Sequence, residues 1–155
     1  MTIEFEHNLE ELDNWIRVRM ALLSPAEVRK LFRSLGNDLR RLNTQRMAAQ
    51  TSPEGVPWTP RKPQDKDKTG KKRKGKMMRK LRNRGHLRQQ FLSDGIRIGF
   101  FGRDSALART HQYGLTEQLE FGLAKYPQRQ LIGLSEADRI YVRERILQHI
   151  QDMTA

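Results

Sequence analysis

The chain contains no cysteine among its 155 residues. Disulfide bonds and zinc sites built from thiolates are therefore excluded. No run approaches the ~20 apolar residues that a helix needs to cross a bilayer. The N-terminal stretch MTIEFEHNLEEL is acidic and has no apolar run of signal-peptide length. These absences predict a soluble protein that is made and kept in a cytoplasm, without membrane contact.

Apolar residues are also scarce. Hydrophobic residues make up 36% of the chain and charged residues 31%, whereas an ordinary globular domain has roughly 45–50% apolar residues. The length fits one domain that spans residues 1–155. Such a domain has a modest core, which is common in a subunit that completes its burial against neighbouring subunits.

The positive charge is concentrated in one segment. The net charge is +12, and residues 61–90 hold fourteen Lys or Arg and two Asp. The other residues hold sixteen cationic and sixteen acidic side chains, so they are neutral as a set. A basic insert in a neutral scaffold predicts a localised electrostatic contact.

Aromatic residues are absent between Trp58 and Phe91, so the basic segment is not suited to stacking on single-stranded bases. Clustered cations bind phosphates by charge alone. A phosphate-bearing partner or an acidic protein face is therefore expected, and a merely solvated loop is the alternative. The candidate contact residues are Lys71, Lys72, Arg73, Lys74, Lys76, Arg79, Lys80, Arg82 and Arg84.

Two helices are predicted at the N-terminus. Apolar residues recur at helical spacing from about Leu9 to Leu23. A second helix starts after Ser24, where a capping residue is followed by Pro25 and by Glu27 three positions on. The short break between the helices predicts an antiparallel helical hairpin over residues 9–50.

The middle of the chain, residues 51–86, is predicted to be a proline-rich and then basic exposed loop. Its first part has four prolines and one buried-type residue, Trp58, which we expect to act as a packing anchor. Residues 64–76 have no apolar side chain, which predicts a long exposed loop.

Residues 87–134 are predicted to be rich in β-structure. Alternation and the Asp94-Gly95 turn signal predict a hairpin of Leu87–Leu92 with Ile96–Phe101. A short helix over 105–113 and another strand over 115–123 follow. The final helix, residues 135–153, has Ser135 as its cap. The predicted fold class is α+β: an N-terminal helical hairpin, a small antiparallel sheet with a long basic loop, and a C-terminal helix.

Three patches stand out in the sequence. They are GVPW at 55–58, GFFGRDSALARTHQYG at 99–114 and YPQRQLIGLSEAD at 126–138, in this order. Together they resemble the phage virion morphogenesis family, the tail completion proteins of contractile-tailed temperate phages. The last departs from the family, because Gln130 stands where a second proline is usual. The motif residues taken as candidate interface residues are Trp58, His111, Gln112, Tyr113, Gly114, Pro127, Arg129 and Gly133.

The resemblance implies an α+β structural subunit that acts late in tail assembly and joins the tail to the head. It implies a virion protein of the tail or neck, with other tail and head-neck proteins as partners and a homo-oligomeric ring as its form. It carries over no catalytic residues, and neither a metal nor a cofactor is expected. The basic segment would then contact packaged DNA or an acidic face of a neighbour.

Two other classes of function compete with this one. A non-specific nucleic-acid-binding protein would use the basic segment 61–90 on duplex backbone. A small enzyme would need clustered carboxylates or a positioned base. His111 has no nucleophile motif around it and is more simply a structural histidine that bonds the backbone. The four histidines lack metal-ligand spacing.

Overall fold

The computed structural model describes residues 13–62, 70, 75–93 and 95–155. Its elements are α1 (residues 13–20), α2 (Pro25–Ala49), β1 (Leu87–Phe91), β2 (Ile96–Phe100), α3 (Arg103–Tyr113), β3 (Thr116–Leu119), β4 (Gly122–Lys125) and α4 (Glu136–Thr154). The predicted α+β fold class is confirmed, with helices at both ends and antiparallel strands between them.

The N-terminal helices are both present. The described part of α1 ends at residue 20, three residues before the predicted end, and residues 9–12 of that prediction lie outside the described residues. Ser24 and Glu27 form the predicted capping box at the start of α2. The helix closes at Gln50, whose left-handed backbone ends the helical hydrogen bonding.

The inner face of α2 organises the fold. Its buried residues recur every four positions and are Leu31, Leu35, Leu39, Asn43 and Met47. Gly36 lies on the same face, where a Cβ would meet the Gln89 side chain at 2.6 Å and would also overlap Ile96. The absence of a side chain there lets the β1–β2 hairpin approach the helix closely.

The first predicted hairpin is confirmed. β1 and β2 pair antiparallel, with Leu87 opposite Phe100 and Phe91 opposite Ile96. Each strand ends one residue before the predicted end, and Asp94 of the turn lies outside the described residues. The hairpin packs on α2, and β2 also contacts α3.

The prediction of one strand over 115–123 is wrong. The chain forms a second antiparallel hairpin there, in which Leu119 pairs with Gly122 and only Glu120 and Phe121 form the connection. Gly122 has a φ of 125°, a conformation that favours glycine and lets the strand reverse. Within the described residues, the strands therefore form two separate two-stranded sheets.

The core is assembled from segments far apart in sequence. Its central residues are Met47, Trp58, Met77, Leu81, Leu87, Ala108 and Leu131. Trp58 packs inside its own chain, and its indole Nε1 donates to the Gln130 carbonyl at 3.0 Å. Gln50 anchors the basic segment at Met77, because its side-chain amide exchanges hydrogen bonds with the backbone of Met77 at 2.7 and 3.2 Å.

The C-terminal helix is confirmed with its cap. Ser135 and Asp138 form a capping box that begins α4. The helix lies against α2, where Tyr141 donates to Asp38 at 2.7 Å. None of the helices in the described part of the chain is both long and apolar enough to cross a membrane.

Candidate docking surfaces

The residues that carry the family resemblance meet where residues 126–134 cross the end of α3. We call residues 126–134 the strap. Gln112 fastens the strap to α3: its amide oxygen accepts from the backbone N–H of Leu131 at 2.8 Å and of Ile132 at 3.2 Å. Its amide nitrogen donates to the Ile132 carbonyl at 2.9 Å. One side chain thus satisfies three backbone groups of a segment that has no strand partner.

Two glycines allow the strap to pack closely against its neighbours. Gly114 ends α3 with a φ of 63°, and a Cβ there would lie 2.7 Å from the backbone nitrogen of Gln128. Gly133 accepts no side chain either, because a Cβ would lie 2.9 Å from Pro53. Its N–H donates to Asn43 of α2 at 3.0 Å, so the strap joins α3 to α2.

Arg129 is directed into the protein and is only 6% exposed. Its Nε donates to the Thr59 carbonyl at 2.8 Å and its Nη2 to the Pro60 carbonyl at 3.1 Å. Burial, and then the charge of Arg61, lower the pKa of Arg129. The sequence predicted Arg129 as an interface residue. The structure instead uses this side chain to close the proline-rich loop of its own chain.

His111 also has an internal position. Its ring meets Tyr126 edge-on at 5.2 Å, and its Nδ1 is buried without a hydrogen-bond partner among the described residues. This differs from the expected histidine with both ring nitrogens bonded. Burial, followed by the nearby Arg129, lowers the pKa of His111 and favours the neutral ring. Asp104, the carboxylate nearest in sequence, pairs with His86 at 2.8 Å instead.

The other motif residues differ in exposure. Trp58 lies in the core, Pro127 is half-buried, and Tyr113 is 62% exposed. Tyr113 is therefore the motif residue best placed to touch another molecule. The motif as a whole encodes the crossing of the strap, α2 and α3.

The structure describes five of the nine predicted cationic contact residues. Lys71, Lys72, Arg73 and Lys74 lie outside the described residues. Of the others, Lys76, Arg79, Lys80 and Arg84 are exposed and Arg82 is half-buried. Met77 and Leu81 lie between them and are buried in the core. The end of the basic segment is therefore held against the fold while its cations point outward.

Helix α2 adds arginines that no local sequence pattern connects with the basic segment. Two adjoining depressions, of about 400 and 380 Å³, lie between α2 and residues 84–91 and share Asn37, Arg40 and Arg84. We call their cationic lining the arginine face; it consists of Arg33, Arg40, Arg41, Arg84 and Arg88.

The arginine face has one carboxylate, Asp38, which accepts from Tyr141 and pairs with Arg41 at 3.5 Å. The Nε of Arg40 is buried and has no partner among the described residues. Guanidinium groups match phosphate and carboxylate oxygens in a planar, two-pronged geometry. The face can therefore bind an anionic partner. The available signal was the spacing of Arg33, Arg40 and Arg41 on one helix.

A third surface is an apolar groove of about 780 Å³ between β2, α3 and the strap. Its apolar lining includes Ile98, Phe100, Ala108, Tyr113, Ile132 and Leu134. Beyond α3, the tip of the second hairpin presents Leu119, Phe121 and Leu123, which are 47%, 95% and 74% exposed. Contiguous exposed apolar surface marks an interaction site.

A metal centre has no basis in the described ranges, where no group of three His, Asp or Glu side chains could hold an ion. The described residues form a small α+β scaffold with an arginine face, an apolar groove and an apolar hairpin tip. These are the features of an assembly subunit.

The chain belongs to the Phage virion morphogenesis family, whose pattern matches residues 7–151. It is 33% identical over 132 residues to the Tail completion protein S of Escherichia phage P2, which covers 83% of this chain and 88% of that protein. No solved structure matches the chain. The resemblance inferred from the three sequence patches is therefore confirmed.

Proposed function

We propose that this chain is a non-catalytic structural subunit that completes the phage tail and joins it to the head. Family membership and the name of the phage P2 relative support this function. The protein acts in the tail or neck of the virion, as a homo-oligomeric ring that docks on neighbouring tail and head-neck proteins, and it is assembled in the host cytoplasm.

The hydrogen-bond partners of the buried polar residues support a docking function over a catalytic one. The buried polar or charged residues of the described chain are Asn43, Ser52, Thr110, Arg129, Ser135 and Asp138. Each of them hydrogen-bonds within the chain. Catalytic groups instead converge on a cleft with reactive atoms directed at a substrate. These six buried residues bond within their own chain, which suits a protein that works through its surfaces.

The arginine face and the basic segment serve as the electrostatic contact of the subunit. They combine the exposed Arg84 and Lys80 with Arg33 and Arg40 of α2. Duplex DNA passing through the joint and an acidic face of a neighbouring protein present the same chemistry, closely spaced oxygen anions. The residues outside the basic segment, which include these α2 arginines, are neutral as a set and so do not oppose either partner.

Titration of the purified protein into separated heads and tails tests the proposed function. A structural subunit is consumed in fixed proportion to the particles formed, and it remains in each joined particle in several copies. An enzyme would complete many particles per molecule and would be absent from the product. Electron microscopy counts the joined particles, and quantitative mass spectrometry counts the retained copies. Turnover without retention contradicts the proposal.

Deletion of residues 66–76 tests the electrostatic contact. We expect folded protein that is retained less well and joins fewer particles. A matched variant that replaces the same residues with a Gly/Ser linker of equal length separates the effect of charge from that of loop length. If both variants join heads to tails as well as the native chain does, these cations are dispensable. The electrostatic contact would then be made by the arginine face.

A further inference from the structure

We propose that copies of this chain associate head to tail, with the tip of the second hairpin of one copy inserted into the apolar groove of the next. This inference rests on the ring assembly of the proposed function and names the contact that builds it. The hairpin tip and the groove share no residue.

The hairpin tip has the form of an apolar wedge. Phe121 stands at the apex and is 95% exposed. Because paired residues share a face of the hairpin, the pairing of Leu119 with Gly122 and of Gln118 with Leu123 puts one leucine on each side. The substantial contacts of β3 and β4 are with each other, so no other described helix or strand covers the wedge.

The base of the wedge is firmly held. Tyr126 N–H donates to the Leu115 carbonyl at 3.1 Å, and Glu117 accepts from the hydroxyl of Thr110 on α3. Arg129 N–H donates to the His111 carbonyl at 2.7 Å and continues the attachment into the strap. A projecting apolar element on a rigid base loses little conformational freedom when it binds, which favours binding.

The groove has a suitable size and character. Its volume of about 780 Å³ lies within the ~300–1,000 Å³ range of pockets that enclose an organic ligand of several rings. Ile98 and Phe100 line one side and Ala108 and Tyr113 the other. One aromatic side chain and two leucines fit this space and this apolar chemistry.

Charge identifies a second copy as the occupant. The wedge carries Glu120 directly beside Phe121, and this glutamate is exposed. The groove is bordered by Arg97 and Arg109, both exposed. Insertion of the wedge brings the glutamate to these guanidinium groups. The wedge and the groove are then complementary in both their apolar and their charged parts.

The geometry of the contact agrees with a ring. A two-fold dimer uses the same patch on both partners, whereas a wedge and a groove are different patches. Each copy therefore has one wedge and one groove to offer, and association continues from copy to copy until the rotation closes. The wedge follows α3 directly and none of its residues lines the groove, so it does not fill its own groove in the described structure.

Cross-linking tests the contact directly, because the chain has no native cysteine. Two single variants, Glu120→Cys and Arg109→Cys, are mixed and oxidised, both as purified protein and within purified tails. We expect a disulfide between the two variants in at least one preparation. Glu144→Cys, an exposed position on α4, replaces Glu120→Cys as the control and is expected to give none.

Two further variants separate the contact from general stickiness. Phe121→Ser in the Glu120→Cys chain is expected to reduce the cross-link at least tenfold, whereas Leu22→Ser, at another exposed leucine, leaves it unchanged. In chains without cysteine substitutions, Glu120→Arg or Arg109→Glu alone is expected to weaken self-association, which sedimentation measures. The double variant restores it, because the opposite charges face each other again.

The outcomes distinguish this inference from the proposed function. Absence of the Glu120–Arg109 cross-link from both preparations, or an equal cross-link with the α4 control, overturns the inference. If the protein is still retained stoichiometrically in joined particles, the proposed function stands without it. A specific cross-link in a protein that is not retained in particles leaves the contact in place and contradicts the proposed function.

Discussion

Arg46 of α2 and Asp138 of α4 form a two-pronged ion pair with N–O distances of 2.6 and 2.7 Å. The Asp138 side chain is only 3% exposed and that of Arg46 19%. Burial alone would raise the pKa of Asp138, but hydrogen bonds from Arg46 and Ser135 outweigh burial and lower it. The pair joins the last turn of α2 to the first turn of α4 and fixes how these helices meet.

Replacement of Asp138 with Asn is expected to destabilise the fold. It leaves the mostly buried guanidinium of Arg46 without a counter-charge, which costs about 3 kcal/mol for a pair of this kind. Urea unfolding at neutral pH measures the change. Asp13→Asn is the matched control, because Asp13 pairs with Arg143 at 3.2 Å with side chains 47% and 31% exposed. We expect the control to change the free energy of unfolding by less than about 1 kcal/mol.

The contribution of Asp138 should also depend on pH in a defined direction. Its pKa is lowered in the folded state, so folding is stabilised at pH values above the unfolded pKa of about 3.9. That stabilisation disappears as the pH falls through the folded pKa. The difference between the native chain and Asp138→Asn is therefore expected to shrink in acid. Urea unfolding of both chains at several pH values measures it, and a constant difference would contradict this assignment.

Gly114→Ala is expected to lower stability by at least about 2 kcal/mol. The left-handed φ of 63° disfavours a side chain, and the new Cβ would lie 2.7 Å from the backbone of Gln128. Gly85→Ala is the control, because no atom lies within 4 Å of a Cβ there and its φ is ordinary. Thermal unfolding of both variants gives the comparison. Equal melting temperatures would show that the strap moves freely away from α3.

Gln112→Met keeps the size of the side chain and removes its hydrogen bonds. The N–H groups of Leu131 and Ile132 and the Ile132 carbonyl then lose their partner. We expect a loss of about 2–3 kcal/mol, because unsatisfied buried backbone groups are costly. Gln90→Met on the exposed side of β1 is the control and should be close to neutral. Hydrogen exchange of the two amides provides a local measurement, since both should exchange faster only in the Gln112 variant.

The arginine face is expected to bind polyanions. The test variant replaces Arg33, Arg40, Arg84 and Arg88 with Gln. The control variant removes the same charge from exposed positions elsewhere, at Arg17, Lys30, Arg103 and Arg139. Binding to duplex DNA and to poly-glutamate is measured over a range of salt concentrations. The test variant should bind at least about tenfold more weakly, with a salt slope reduced by about 0.9 for each lost phosphate contact. Equal losses in both variants would mean that only net charge matters.

Local signals in the sequence predicted the main helices well. Ser24 and Ser135 cap α2 and α4 as expected, because a cap depends on residues three positions apart. The first hairpin was also predicted to within a residue at each strand end. The second hairpin was not predicted, because its polar residues weaken the alternation of apolar side chains. Its turn residues are Glu120 and Phe121, which are not a turn dipeptide such as Asn-Gly, and the glycine, Gly122, comes only after the turn.

The surfaces were harder to predict, since each depends on contacts between distant residues. The arginine face forms because α2 and Arg84 lie next to each other in the fold, and no local sequence pattern predicts this proximity. Arg129 and Gln112 stood out as motif residues, but only the structure shows that both bond the backbone of their own chain. The motif predicted the family correctly because it encodes the crossing of the strap, which relatives of the same fold would share.

The strap has a consequence for synthesis of the chain. Asn43 and Arg46 find partners 90 and 92 residues further on, at Gly133 and Asp138. At roughly 5–20 residues per second, a ribosome exposes the apolar face of α2 for several seconds before these partners emerge. Contacts of such long range also slow folding itself. The contacts that Asn43 and Arg46 make are therefore expected to form only after residues 133–138 have emerged, so α2 stays without these partners during most of the time that separates the two segments in synthesis.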